Sequence, residues 1–176
     1  IQNIFMNFHN TNHKFKIVIS VGDESGIGPE IILKALNSSE IPKNIDYILV
    51  CSKKNLQNTY RHLRSLGLEN LANPENLKIH DLEIPSSGSN DKSICGNSSF
   101  YYLTKAIEIV KQYPNSALVT GPICKKSWSL AGHYFSGQTE VLAKLCGVKN
   151  VGMLFTAKSP ITGWRFNTLL ATTHIA

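Results

Sequence analysis

The chain has 176 residues, 42% of them apolar and 17% charged, with a formal net charge of +6. That length supports one ordinary core, the composition fits a soluble globular protein, and no apolar run reaches the roughly 18 residues a membrane-spanning helix needs. The basic residues are scattered rather than clustered, which argues against nucleic-acid binding and leaves two readings, a diffuse field that steers anionic small molecules or an ordinary basic surface.

The opening stretch has no long apolar segment and no small-residue cleavage site, so it does not read as a secretory signal. Residues 1–13 are set aside as a disordered or non-native leader. "KFKIVISV" (14–21) is an apolar, β-branched run, the pattern of a buried strand. "GDESGIGPE" follows as a turn, and "PEIILKALNS" (29–38) has helical spacing with Pro29 in its first turn. "IDYILVCS" (45–52) is a second strand, and "KKNLQNTYRHLRSLG" (53–67) a helix closed by Gly67. Residues 69–97 read as irregular, with a short strand at "NLKIHDL".

Regularity returns with a helix over 99–114, ended by Pro114, and a strand over 116–123 that opens into Gly121-Pro122. "CKKSWSLAG" predicts a short helix closed by Gly132, and residues 138–147 another closed by Gly147. "NVGMLFTA" and "RFNTLLATTHI" are strands flanking the turn-rich "KSPITGW". No helix separates them, so they predict a hairpin arm. Strand and helix alternate elsewhere, which predicts an α/β fold, a mostly parallel sheet with helices on both faces.

Cys51, Cys95, Cys124 and Cys146 are widely spaced without C-x-x-C. They read as reduced thiols of a cytosolic protein rather than a zinc ribbon or a disulfide framework.

Four stretches carry residue types suited to chemistry. Gly22, Gly26 and Gly28 permit a tight turn before a helix N-terminus able to face an anion, but their spacing matches neither common phosphate-binding motif; alone they read as structural. Lys125 and Lys126 follow the carboxyl end of a strand, where α/β sheets bind ligands, and fit either an anion site or a solvated pair. Gln138 and Thr139 open a helix, as an ordinary cap or as a seat for a carboxylate or phosphate; His133 before them reads as a loop surface residue. His174 ends a strand with no second metal-ligating residue at close spacing.

The order of "GDESGIGPEI", "ALVTGPICK", "AGHYFSGQTEVLA" and "LLATTHI" resembles the amino-terminal half of the PdxA family, the 4-hydroxythreonine-4-phosphate dehydrogenases of vitamin B6 biosynthesis. The resemblance covers about residues 15–176. It implies the two-domain α/β architecture of isocitrate and isopropylmalate dehydrogenases, truncated here, with residues 14–176 as the amino-terminal part. It implies a cytoplasmic homodimer that uses NAD or NADP and a divalent metal (zinc, magnesium or cobalt) held across the subunit interface. His174 is then the first of three metal-binding histidines, the other two lying downstream with the cofactor-reading residues. The implied reaction oxidises 4-phosphooxy-L-threonine to a β-keto acid, which decarboxylates to 3-amino-2-oxopropyl phosphate.

The family's substrate-binding pair is His-Thr in "GHTE". Thr139 carries over, while Gln138 replaces the histidine and cannot shuttle a proton near neutral pH. Glu24-Ser25 also stands where the family usually has Pro-Ala, and reads as a tolerated loop change. Three other expectations stand beside this one. The substrate is another phosphorylated hydroxy acid such as erythronate phosphate; or the chain is a non-catalytic phosphate-binding module using the Gly26–Glu30 turn and Lys125; or it is an inactive fragment with exposed strand edges.

Overall fold

The computed structural model describes residues 14–84 and 91–171. The chain divides into two compact units, with the boundary between Phe135 and Ser136.

The first unit is built on four strands, β1 (Lys16–Ser20), β2 (Asp46–Cys51), β3 (Ile79–Asp81) and β4 (Ser116–Thr120), ordered β3-β2-β1-β4. Every pairing is parallel. β1 is central, with Val18 opposite Ile48 on one side and Leu118 on the other. A parallel ladder needs a crossover between strands, and α1 (Gly28–Asn37), α2 (Lys53–Ser65) and α3 (Asp91–Gln112) supply them. The path runs outward from β1 to β3 and then reverses to β4. Right-handed crossovers therefore put α1 and α2 on one face and α3 on the other. The predicted α/β class with helices on both faces is what the structure has.

The core lies between these layers. Val18, Leu33, Leu49, Val50 and Ala106 are completely buried, and Leu56 and Tyr102 nearly so. Burying each of the larger side chains is worth about 1.5–3 kcal/mol. Polar residues close the helix ends. Ser52 precedes α2 and its hydroxyl accepts from the Asn55 amide at 3.2 Å. Gly67, past the end of α2, has φ of 85°, the left-handed geometry expected of it.

One predicted element differs. The helix expected over 99–114 begins at Asp91, eight residues earlier than the pattern suggested. Its polar, glycine-containing first turns carry weak helix propensity. Tertiary packing decides the matter: α4 (Lys125–Leu130) lies against this part of α3, and a Cβ on Gly96 would overlap the Ser127 carbonyl. Trp128 is fully buried, and its Nε1 donates to Ser99 Oγ at 2.8 Å.

The second unit holds α5 (Gln138–Cys146), closed by Gly147 at φ 68°, and an antiparallel ribbon of β5 (Leu154–Lys158) and β6 (Arg165–Leu169). The hairpin arm expected from the sequence is present, with shorter strands. Its turn is fixed by Ser159 N–H donating to the Trp164 carbonyl at 2.8 Å. Phe155, Ala157 and Phe166 share one face, with Ala157 opposite Phe166, and the Trp164 ring lies 6.0 Å from that of Phe166. Phe155, Phe166 and Trp164 are all exposed.

Candidate functional site

The sequence pattern places two turns at the carboxyl edge of the parallel sheet, and the structure interlocks them. Asp23 N–H donates to the Pro122 carbonyl at 2.9 Å, and Gly121 N–H to the Ser20 carbonyl at 2.7 Å. A Cβ on Gly22 would overlap the Pro122 carbonyl, and one on Gly121 the Val21 carbonyl. Gly22 also has φ of 83°. These glycines are required by backbone-to-backbone contact. Gly28 is held the same way, since a Cβ there would overlap the Val21 carbonyl, whereas one on Gly26 would meet only ordinary contact.

The residues after Gly22 organise the edge further. Asp23 is buried, and its Oδ1 accepts from the Ser25 amide and hydroxyl at 2.9 and 2.6 Å. Glu24 reaches across to two helices: Tyr102 Oη donates to its Oε1 at 2.8 Å and Asn55 Nδ2 to its Oε2 at 2.7 Å. Burial pushes the Glu24 carboxyl above the usual carboxylate range, against these hydrogen bonds that lower it. Burial, with the Glu24 charge beside it, pushes the Tyr102 phenol up as well. Glu24 is thus a three-way anchor between the glycine turn, α2 and α3, where the sequence suggested a tolerated loop change.

Beyond β4, Cys124 is exposed, and hydrogen bonds from Ser127 hold its thiol below the ordinary range. Lys125 and Lys126 are exposed on α4 and form no ion pair among the described residues. His133 is not the simple surface residue expected of it. Its ring stacks on Phe100 with centroids 3.8 Å apart, and Nε2 lies 2.9 Å from Asn97 Oδ1. Burial lowers its pKa, which favours the neutral ring. The signal for this packing, Phe100 on α3, lay in a helix read only for its periodicity.

In the second unit Gln138 and Thr139 are the first two residues of α5, as predicted, and both are partly buried. The N-cap residue before them is Gly137, which brings no capping side chain of its own. Glu140 follows on the first turn, with Oε2 buried and without a hydrogen-bond partner among the described residues. His174 lies outside the described residues. Among the described residues no group of three metal-ligating side chains occurs.

Parallel strands, helices on both faces and paired turns at the carboxyl edge define an α/β fold of the kind that binds ligands at that edge. The family model described as pyridoxal phosphate biosynthetic protein PdxA matches residues 43–176. The chain belongs to the PdxA family. It is 46% identical over 163 residues to the 4-hydroxythreonine-4-phosphate dehydrogenase of Synechococcus sp. (strain RCC307), covering 91% of this chain and 48% of that protein. It is 30% identical over 171 residues to a protein of Oceanobacillus iheyensis provisionally named as a D-threonate 4-phosphate dehydrogenase, covering 90% of this chain and 50% of that one. The fold matches the crystal structure of a 4-hydroxythreonine-4-phosphate dehydrogenase from Burkholderia phymatum with a TM-score of 0.73 at 24% identity, over 94% of this chain and 52% of that chain. The chain therefore spans about half the length of the curated relatives it matches.

Proposed function

We propose that this chain is the amino-terminal half of a 4-hydroxythreonine-4-phosphate dehydrogenase, a cytoplasmic homodimer that oxidises 4-phosphooxy-L-threonine with NAD or NADP in pyridoxal phosphate synthesis. The observation that carries this reading is the family match over residues 43–176. Among the described residues no helix is long and apolar enough to cross a membrane.

The chain's own residues have distinct roles in this proposal. Thr139 offers a hydroxyl to the substrate, and Gln138 an amide that donates a hydrogen bond but does not accept a proton near neutral pH. The first main-chain N–H groups of α5 follow Gly137 at the N-cap and suit an anionic substrate group. His174 is the residue through which this half would hold a divalent metal, which when bound would act as a Lewis acid on the substrate alcohol. The remaining metal ligands are outside this half, so the 176-residue chain by itself is expected to be inactive.

The D-threonate relative supports a second reading, in which the substrate is a phosphorylated hydroxy acid without the amino group. The test is nicotinamide reduction by the full-length polypeptide with 4-phosphooxy-L-threonine, threonate 4-phosphate and erythronate 4-phosphate. Preferred turnover of the first supports the main reading, and turnover only of the others replaces it. Turnover of none removes both. With the preferred substrate, His174→Ala is expected to abolish activity.

A further inference from the structure

Residues 131–135, which close the first unit, are fastened to α3 and α4 at several points. Gly132 turns the chain at φ 83°, and the His133 main-chain N–H donates to the Trp128 carbonyl at 2.9 Å. The His133 ring lies almost parallel to that of Phe100, at an interplanar angle of 9°. Asn97 Oδ1 can only accept, so its 2.9 Å contact places the ring proton on Nε2. Phe135 stacks on Phe100 as well, with centroids 5.7 Å apart. Tyr134, between the two, is 81% exposed. The anchor itself is firm, since Phe100 also meets the fully buried Trp128 ring edge to face at 5.5 Å.

Only Ser136 and Gly137 separate Phe135 from Gln138 and Thr139 at the start of α5. We infer that His133 is a positioning residue: seated on Phe100 and bonded to Asn97, it restrains the segment that delivers Gln138 and Thr139 and so strengthens binding of the phosphorylated substrate. The inference rests on the dehydrogenase reading and deepens it with a residue that does not itself touch substrate. Its physical basis is the cost of ordering. A segment free to move loses conformational freedom when a ligand immobilises its polar groups, whereas one already held at residues 133 and 135 has less to lose. The ring and the hydrogen bond act together: stacking alone leaves the imidazole free to rotate in its own plane, and the directional bond to Asn97 fixes that rotation.

The experiment is steady-state kinetics of the full-length polypeptide with whichever of the three phosphorylated substrates it turns over best. His133→Phe keeps a ring against Phe100 and gives up the bond to Asn97, and Asn97→Ala removes the same bond from the other side. Each is expected to raise the substrate KM about fivefold while kcat stays within about twofold. The double variant is expected to be no worse than either single one, because both remove one shared interaction. Asn97→Asp, which keeps an acceptor oxygen, is expected to hold KM near the parental value, as is Tyr134→Ala. Asn97→Ala keeps the test open if His133→Phe does not fold. A lower kcat at unchanged KM, the mark of lost folded protein, overturns the positioning role, and so do fully additive effects of the two single changes. Turnover with KM unaltered in every variant overturns the inference and leaves the dehydrogenase reading intact. A parent that turns over none of the substrates removes that reading, and the inference with it.

Discussion

Thr139 and Gln138 sit side by side at the start of α5, but their chemistry separates their predicted effects. If Thr139 binds substrate as proposed, Thr139→Ala in the full-length protein would remove one hydrogen bond to it, and KM is expected to rise about tenfold, the equivalent of some 1.4 kcal/mol, with a smaller change in kcat. Gln138→His introduces a titrating ring, and the pH profile of kcat is expected to gain a limb near pH 6–7 that the parent lacks. An unchanged profile would show that this position does not exchange protons with the substrate. Glu24 yields a stability prediction with a definite sign. Its folded-state pKa is raised by burial, so its contribution is fully present below the ordinary carboxylate pKa and is lost as pH rises through the folded value. Glu24→Gln is therefore expected to melt higher than the parent near neutral pH and to lose that advantage in acid below about pH 4. Thermal melts of both proteins across that window check it, and an advantage that grows in acid would refute it.

Among the elements, the strands and most helices were legible because their signals are local. β1 and β2 announce themselves by β-branched runs, and α2 by a serine before it and a glycine after it. The first eight residues of α3 were not legible, because "DKSICGNS" becomes helical by packing against α4, a contact between residues some 30 positions apart. His133 was misread for the same reason: its partners Phe100 and Asn97 come from α3. At the candidate site, the glycines and the Gln138-Thr139 pair could be picked out from the chain, but the anchoring of Glu24 could not, since Tyr102 is 78 residues away. The α3–α4 contact predicts a large local effect. Gly96→Ala is expected to cost about 2–3 kcal/mol through overpacking against the Ser127 backbone. Trp128→Phe, which removes the bond to Ser99, should cost about 1–2 kcal/mol. Denaturant midpoints measure both, and a Gly96→Ala protein as stable as its parent would deny that close packing.

At the level of the whole molecule, the two units differ in how much they bury. The first has a continuous core, whereas the ribbon of the second exposes Phe155, Trp164 and Phe166. Exposed aromatic surface on an antiparallel pair favours association. The 176-residue chain expressed alone is expected to self-associate with rising concentration, and Phe155→Lys together with Phe166→Lys to suppress this. Sedimentation velocity across a concentration series decides between that and a monodisperse monomer.

The locking of Gly22 against Pro122 and of Gly121 against Val21 has a mechanical corollary. Because main chain meets main chain, no side-chain rearrangement can let one loop shift while its neighbour stays put. The tips of β1 and β4 are geared together, and whatever a bound molecule does to one of them is felt at once by the other.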